Sequence, residues 1–268
     1  MTFNRVWLDT LTELQTKCVC VPSRNGGAYE MIGHPLWFDM SYPILTYAFR
    51  KISYNFMFAE AAWILTGDNR LWPLLKTAPS MRKFSDDGIY MSGAYGPKIV
   101  DQLPWVINKL IEDCDTRQAV INIWRERPGP SKDIPCTISV QFLIRHGKIH
   151  TVVTMRSSDI WLGLPYDVFT FTMLTYLVAV EVQRRTKQPL ELGTMYHTAG
   201  SRHLYINNAC TIPINDPMPT PRIVLPHCDT TVFIAEALCL RAELGWLELN
   251  NDDLKLIPWI NYGLSNAG

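Results

Sequence analysis

The chain has 268 residues, 47% apolar and 19% charged, with 25 basic and 25 acidic side chains and a net charge of zero. This suits one large domain or two small ones and is too apolar for a disordered chain. Without a basic excess, nucleic acid and membrane surfaces are not expected as partners, although a few placed arginines suffice for a small phosphate.

The amino-terminal MTFNRVWLDTLTELQTK carries charges throughout and no apolar signal core, so a soluble protein of a reducing compartment, the cytoplasm, is expected. A helix is predicted over 60–65 (EAAWIL), stopped by the GDNR that ends at 70; residues 76–97 read as loop. Residues 103–113 have the spacing of an amphipathic helix. Strands are predicted over 119–124, 137–144 and 149–155, the last two joined by a hairpin at His146-Gly147-Lys148. Residues 168–183 are apolar nearly all round, as in a buried helix, and fall short of the about 20 residues that span a bilayer. Short strands follow at 193–198 and 203–206, then a proline-rich loop at 213–226. Too few residues lie beyond it for an independent core, so one domain over 1–268 is expected.

The seven cysteines are odd in number, irregularly spaced and without a C-x-x-C pair, which fits neither a disulfide framework nor a zinc site; no metal is expected. Cys136, after Pro135 and at the mouth of a predicted strand, is either a buried small apolar side chain or a nucleophile. Arg117, Arg125, Arg127 and Arg156 lie near it in sequence, and such a cluster can depress a thiol pKa. The run from Arg156 to Asp167 places an arginine, two hydroxyls, two aspartates and a Gly-containing turn between a strand and a helix, where ligand-binding groups collect. Arg156 beside Ser157 suits a phosphate: a planar fork next to a neutral donor.

These residues together resemble the thymidylate synthase family, which includes the pyrimidine-nucleotide hydroxymethylases. The P-C-x-x-x-x-Q-F strand corresponds to Pro135-Cys136 through Gln141-Phe142, and R-S-x-D-x-x-L-G-x-P-[FY] to Arg156-Ser157 through Pro165-Tyr166. Gly200, His203 and Tyr205 make its G-x-x-H-x-Y element. Glu60, Trp63, Gly67 and Asp68 follow its E-L-L-W-x-x-x-G-D helix; Tyr95 matches its loop tyrosine, and Asp115 and Arg117 its D-S-R-R segment. Departures are Gln118 for the second arginine, Thr137 for a histidine, no tryptophan-rich folate-facing loop before Tyr95, and a carboxy terminus unlike the tail that closes over the folate.

The resemblance implies an α+β fold, a large mixed sheet flanked by helices, and a homodimer packed sheet to sheet with shared active sites. It implies 5,10-methylenetetrahydrofolate as co-substrate, Cys136 as the nucleophile on the pyrimidine ring, and Glu60 as general base through water, with Tyr95 also in the catalytic set. Arg24, Arg156 and Ser157 would hold the nucleotide phosphate, with Arg117 reaching it from the partner subunit. His203 and Tyr205 would hold the sugar hydroxyl; Asp159 would hold the pterin, with Gly163 on the folate side. At Asp167 the synthases carry asparagine, which reads uracil; an aspartic acid instead complements cytosine by donating to N3 and accepting from the 4-amino group. A helix N-cap is the alternative for Asp167. The expected substrate is therefore dCMP, and the expected product 5-hydroxymethyl-dCMP, with 5-methyl-dCMP by hydride transfer as the second reading. Such an enzyme suits a virus that modifies its cytosines, in the cytoplasm of a bacterial or phage-infected cell.

Overall fold

A computed structural model describes residues 1–23, 26–213 and 222–223. In chain order the elements are α1 (Phe3–Lys17), β1 (Cys20–Ser23), β2 (Gly26–Asp39), α2 (Tyr54–Leu65), α3 (Trp72–Leu75) and α4 (Gly96–Glu112). Then follow β3 (Val120–Asn122), β4 (Thr137–Arg145), β5 (Lys148–Asp159), α5 (Leu164–Thr186) and β6 (Glu191–Tyr205). The strands form one sheet in the order β1-β2-β6-β5-β4-β3. Every neighbouring pair is antiparallel except β5 and β6, whose parallel pairing requires the crossover that α5 supplies. The expected mixed sheet flanked by helices is the fold observed.

The helices gather on one face. Beneath them burial alternates along the strands, through Val140, Phe142 and Ile144 on β4 and Ile149, Val153 and Met155 on β5. Helix α5 packs on β5 and β6 with one side and on α2 and α4 with the other, which explains why it is apolar nearly all round. On the opposite face Trp37 and Tyr196 stand in register on β2 and β6 and stay 55% and 45% exposed.

Local chemistry fixes the ends. Ser53 caps α2 by accepting from the Phe56 N–H at 3.3 Å. The helix closes with Gly67 at φ 75°, its N–H on the Ile64 carbonyl and that of Asp68 on the Trp63 carbonyl, a Schellman ending that favours glycine. The β4–β5 hairpin closes on the pair Arg145–Lys148, with His146 and Gly147 both left-handed, as a two-residue type I′ turn requires.

Several boundaries differ from the sequence prediction. Helix α2 starts at Tyr54, and α4 starts at Gly96 and continues through Pro104. The region 76–97, expected as loop, holds a 3-10 turn at Pro79–Phe84 and a bridge between Arg70 and Tyr90. The two short strands expected near the end of the sheet are the single strand β6. Strand β5 continues to Asp159, so Arg156, Ser157 and Asp159 lie on a strand and not on the loop after it.

Three adjacent strands change phase at one level. Pairing skips Gly33 and Gly200 between β2 and β6, and Arg156 and Gly200 between β5 and β6. On β6 burial alternates through Met195, His197 and Ala199 before this point and through Arg202 and Leu204 after it. A Cβ at Gly200 would meet the Arg156 carbonyl oxygen at 3.0 Å, so glycine lets the strands approach there. The kink turns the ends of β5 and β6, which carry Arg156, Ser157, Asp159, His203 and Tyr205.

Candidate active site

Cys136 is half-buried immediately before β4. Arg156, across on β5, donates from Nε to the Pro135 carbonyl at 2.8 Å and from Nη2 to the Ile134 carbonyl at 3.0 Å; Nη2 also lies 3.6 Å from Cys136 Sγ. No hydrogen bond from Arg156 Nη1 to a described residue is present, which leaves it available for an anion. Burial raises the Cys136 thiol pKa. Arg156 pulls it down, while Asp167 and Asp133 add to the rise. The arginine cluster expected to depress this thiol is thus outweighed. Arg117, Arg125 and Arg127 are exposed, and Arg156 alone among the four acts on the sulfur.

Tyr95, just before α4, lies behind Cys136. Its hydroxyl accepts from the backbone N–H groups of Cys136 and Thr137, each at 3.3 Å, and its ring stacks on Phe171 of α5 at 6.4 Å. Burial pushes its phenol well above the ordinary range, so it stays neutral.

Two carboxyl groups share this recess. Glu60, from α2, is half-buried with its pKa raised to about 8 by burial first and by Asp167 second. Asp167 is raised to about 7 by burial, with Arg202 opposing and Asp159 adding. Neither carboxyl has a hydrogen-bond partner among the described residues. The N-cap of α5 is Gly163 and Asp167 lies within the first turn, which removes the N-cap alternative. A Cβ at Gly163 would stand 3.4 Å from Asp167 Oδ2, in ordinary van der Waals contact.

Asp159 ends β5. Its Oδ1 accepts from the N–H groups of Trp161 and Leu162 at 2.7 and 2.8 Å, while Oδ2 is buried without a partner among the described residues. Such an orphaned acceptor fits the N–H groups of a pterin. Burial raises the Asp159 pKa; the two N–H groups, His203 and Arg50 oppose it. His203 pairs in register with Asp159 and packs edge-on against Tyr205 at 5.1 Å. Ser201 bonds Glu30 on β2 and lies 3.5 Å from His203 Nδ1, and Ser157 stands opposite Ser201.

The structure therefore brings Cys136, Glu60, Tyr95, Arg156, Asp159, Gly163 and Asp167 to one end of the sheet, with Ser157, His203 and Tyr205 on the adjoining strand ends. Arg117 does not join them: it is exposed on the turn before β3, its carbonyl accepting from Gln141 Nε2 at 2.8 Å. Arg24 lies outside the described residues, as do the carboxy-terminal tail and most of the proline-rich loop. Among the described residues no group of three or more His, Cys, Asp or Glu is placed to hold a metal, and no helix is long and apolar enough to cross a membrane.

Sequence reasoning missed Arg202 and His197. Alternation from His203 and Tyr205 already sends Arg202 to the opposite, buried face. His197 shares that face only because of the phase change at Gly200, for which period-two counting has no signal.

A thiol beside a guanidinium, a tyrosine behind its backbone, two neighbouring carboxyls and an aspartate oxygen with no partner among the described residues are groups suited to nucleophilic and acid–base chemistry. The family model described as thymidylate synthase matches residues 6–233, and the chain belongs to that family. The family defines the reaction class: folate-dependent one-carbon transfer to C5 of a pyrimidine nucleotide, with methylenetetrahydrofolate as co-substrate.

Proposed function

We propose that the chain, a single catalytic domain over 1–268, acts on dCMP and releases 5-hydroxymethyl-dCMP. The observation that carries this reading is the carboxyl of Asp167, without a hydrogen-bond partner among the described residues, close to Cys136 and Glu60 and raised to about 7, so that it exchanges a proton near neutrality. Cytosine offers an acceptor at N3 and a donor at the 4-amino group; a carboxyl with one proton satisfies both, while an asparagine amide in the uracil-reading orientation mispairs with both.

In this reading the Cys136 sulfur forms a bond to C6 of the ring and the displaced electron pair makes C5 nucleophilic. C5 takes up the one-carbon unit of methylenetetrahydrofolate by forming a C–C bond, and tetrahydrofolate departs as the leaving group when C5 loses its proton, which leaves an exocyclic methylene. Asp159 holds the pterin through its vacant Oδ2, and Gly163 leaves room on that side. Glu60 passes protons through water, first as C5 loses its hydrogen and then as water adds to the new exocyclic carbon; release of the Cys136 sulfur restores the ring. Tyr95 holds the backbone of Cys136. Arg156, Ser157 and Arg24 hold the phosphate, and His203 and Tyr205 the sugar hydroxyl.

The open sheet face carrying Trp37 and Tyr196 supports a homodimer packed sheet to sheet, with Arg117 reaching the partner's phosphate site. Hydride in place of water would give 5-methyl-dCMP. The synthase-like run from Leu162 to Tyr166 favours that second reading. Mass spectrometry of the product from dCMP and methylenetetrahydrofolate separates the two, since the hydroxymethyl product is heavier by one oxygen. Turnover of dUMP in preference to dCMP would overturn both.

A further inference from the structure

Glu30 on β2 and His203 on β6 stand directly opposite each other in the antiparallel pairing, so their side chains leave the same face of the sheet. Ser201 shares that face: Ser201, His203 and Tyr205 are half-buried and alternate with the buried Arg202 and Leu204. The Ser201 hydroxyl donates to Glu30 Oε1, and its oxygen also lies 3.5 Å from His203 Nδ1. Asp159 flanks His203 on the other side, from β5. Its Oδ1 is held by the N–H groups of Trp161 and Leu162, and no hydrogen bond joins the Asp159 and His203 side chains. Ser201 and Glu30 are therefore the groups that address Nδ1.

A carboxylate has acceptors and no proton to give, so the hydrogen between Glu30 and Ser201 is the serine's own, and a hydroxyl has only one. With it committed to Glu30, Ser201 Oγ presents lone pairs alone to His203. A bare Nδ1 would set acceptor against acceptor, so Nδ1 carries hydrogen and donates to Oγ. At 3.5 Å that bond is long and adds little energy. Its weight lies in choosing between two tautomers, of which only one avoids opposed lone pairs. In the neutral ring, hydrogen on Nδ1 leaves Nε2 bare, an acceptor.

We propose that Glu30 is a positioning residue for sugar recognition, which acts through Ser201 to fix His203 as the Nδ1–H tautomer, so that Nε2 accepts from the nucleotide's sugar hydroxyl. This rests on the placement of that hydroxyl at His203 and Tyr205 in the reading above. In dCMP it is the hydroxyl at C3′, the only one on the sugar. The ligand class follows from the order of donors. Nε2 takes a group that donates, so a mononucleotide with a free 3′-hydroxyl fits, while one whose 3′ substituent only accepts again sets two acceptors face to face.

The test reads the tautomer and its consequence separately. Nitrogen NMR of the free, histidine-labelled enzyme at pH 8, with the His203 signals identified by their loss in His203→Gln, should show hydrogen on Nδ1 and a bare Nε2. Ser201→Ala and Glu30→Leu should shift the hydrogen toward Nε2, and Glu30→Gln should keep it on Nδ1, because an amide oxygen still accepts from Ser201. The kinetic probe is the dCMP analogue with fluorine in place of the 3′-hydroxyl, which cannot donate. The wild type should favour dCMP over it by at least about fivefold in kcat/KM. That preference should shrink at least about threefold in Ser201→Ala and Glu30→Leu and persist in Glu30→Gln. Hydrogen on Nε2 in the wild type, or a wild-type tautomer and preference in Ser201→Ala, overturns the inference and leaves the sugar placement standing. If Glu30→Leu does not fold, Ser201→Ala carries both measurements. Equal turnover of dCMP and the fluoro analogue by the wild type overturns the sugar placement, and this inference with it.

Discussion

Arg156 Nη2 lies 3.6 Å from Cys136 Sγ, yet the thiol pKa is raised, because burial outweighs the guanidinium. The same arginine is anchored by the Ile134 and Pro135 carbonyls, so it cannot swing closer to the sulfur without giving up two hydrogen bonds. The free enzyme therefore stores its nucleophile mainly as thiol. Alkylation of Cys136 by iodoacetamide, followed by peptide mass spectrometry, should accelerate with pH to beyond the range of an ordinary cysteine. Arg156→Met should push the profile higher still, since it removes the one group that lowers the pKa. A profile that levels off below pH 8 would show that the cation dominates.

Glu60 and Asp167 give the fold a pH signature. Both carboxyls titrate higher in the folded chain than their ordinary values of 4.5 and 3.8, at about 8 and about 7. The native state then binds more protons than the unfolded state between those limits, so stability is greatest below the unfolded values and falls as pH rises through the folded ones. A tenfold change in proton affinity corresponds to about 1.4 kcal/mol, and the combined loss should be on the order of a few kcal/mol. Urea denaturation at pH 5 and pH 9 checks this. Glu60→Gln should flatten the dependence and be more stable than the wild type at pH 9 while slowing turnover. A wild-type stability that does not fall between these two pH values would contradict the raised carboxyl pKa values.

The motifs that carry the family resemblance, Cys136 after Pro135, Arg156 through Asp159 and Glu60 in step with Trp63, lie in or next to single elements and were legible; the structure brings these side chains to one end of the sheet. Strand β2 was not legible because Gly33 and Pro35 read as breakers, whereas Gly33, at φ 65°, lies where the sheet kinks and Pro35 pairs with Thr198. The same kink hid the contact of Arg202 with His197. Five positions apart on a regular strand, they would face opposite ways. Burial of Cys136 was one of two readings open from the sequence; that it outweighs the arginine beside the thiol depends on tertiary packing, in which Tyr95, just before α4, lies against the Cys136 backbone, and nearby arginines in sequence say nothing of it.

Arg117 tests the subunit arrangement. It is exposed and remote from Cys136 within its own chain, which fits a residue that serves the partner's site. Mixing Arg117→Ala subunits with Cys136→Ser subunits should restore one complete site per heterodimer, with activity above that of either parent. Absence of rescue despite demonstrated subunit exchange would confine Arg117 to its own subunit or remove it from the site.

Asp167→Asn is the sharpest test, because it alters one pattern of donors and acceptors and little else. The substitution is nearly isosteric, and the native carboxyl has no hydrogen bond to a described residue to lose. An amide matches the N3–H and O4 of uracil and mispairs with N3 and the amino group of cytosine. Leaving a buried polar group unsatisfied costs about 1–3 kcal/mol, so the ratio of kcat/KM for dCMP to that for dUMP should fall by at least about tenfold. Both nucleotides are measured on both proteins with methylenetetrahydrofolate saturating. An unchanged ratio would mean that Asp167 does not read the base, and the cytidylate assignment would lose the observation that carries it.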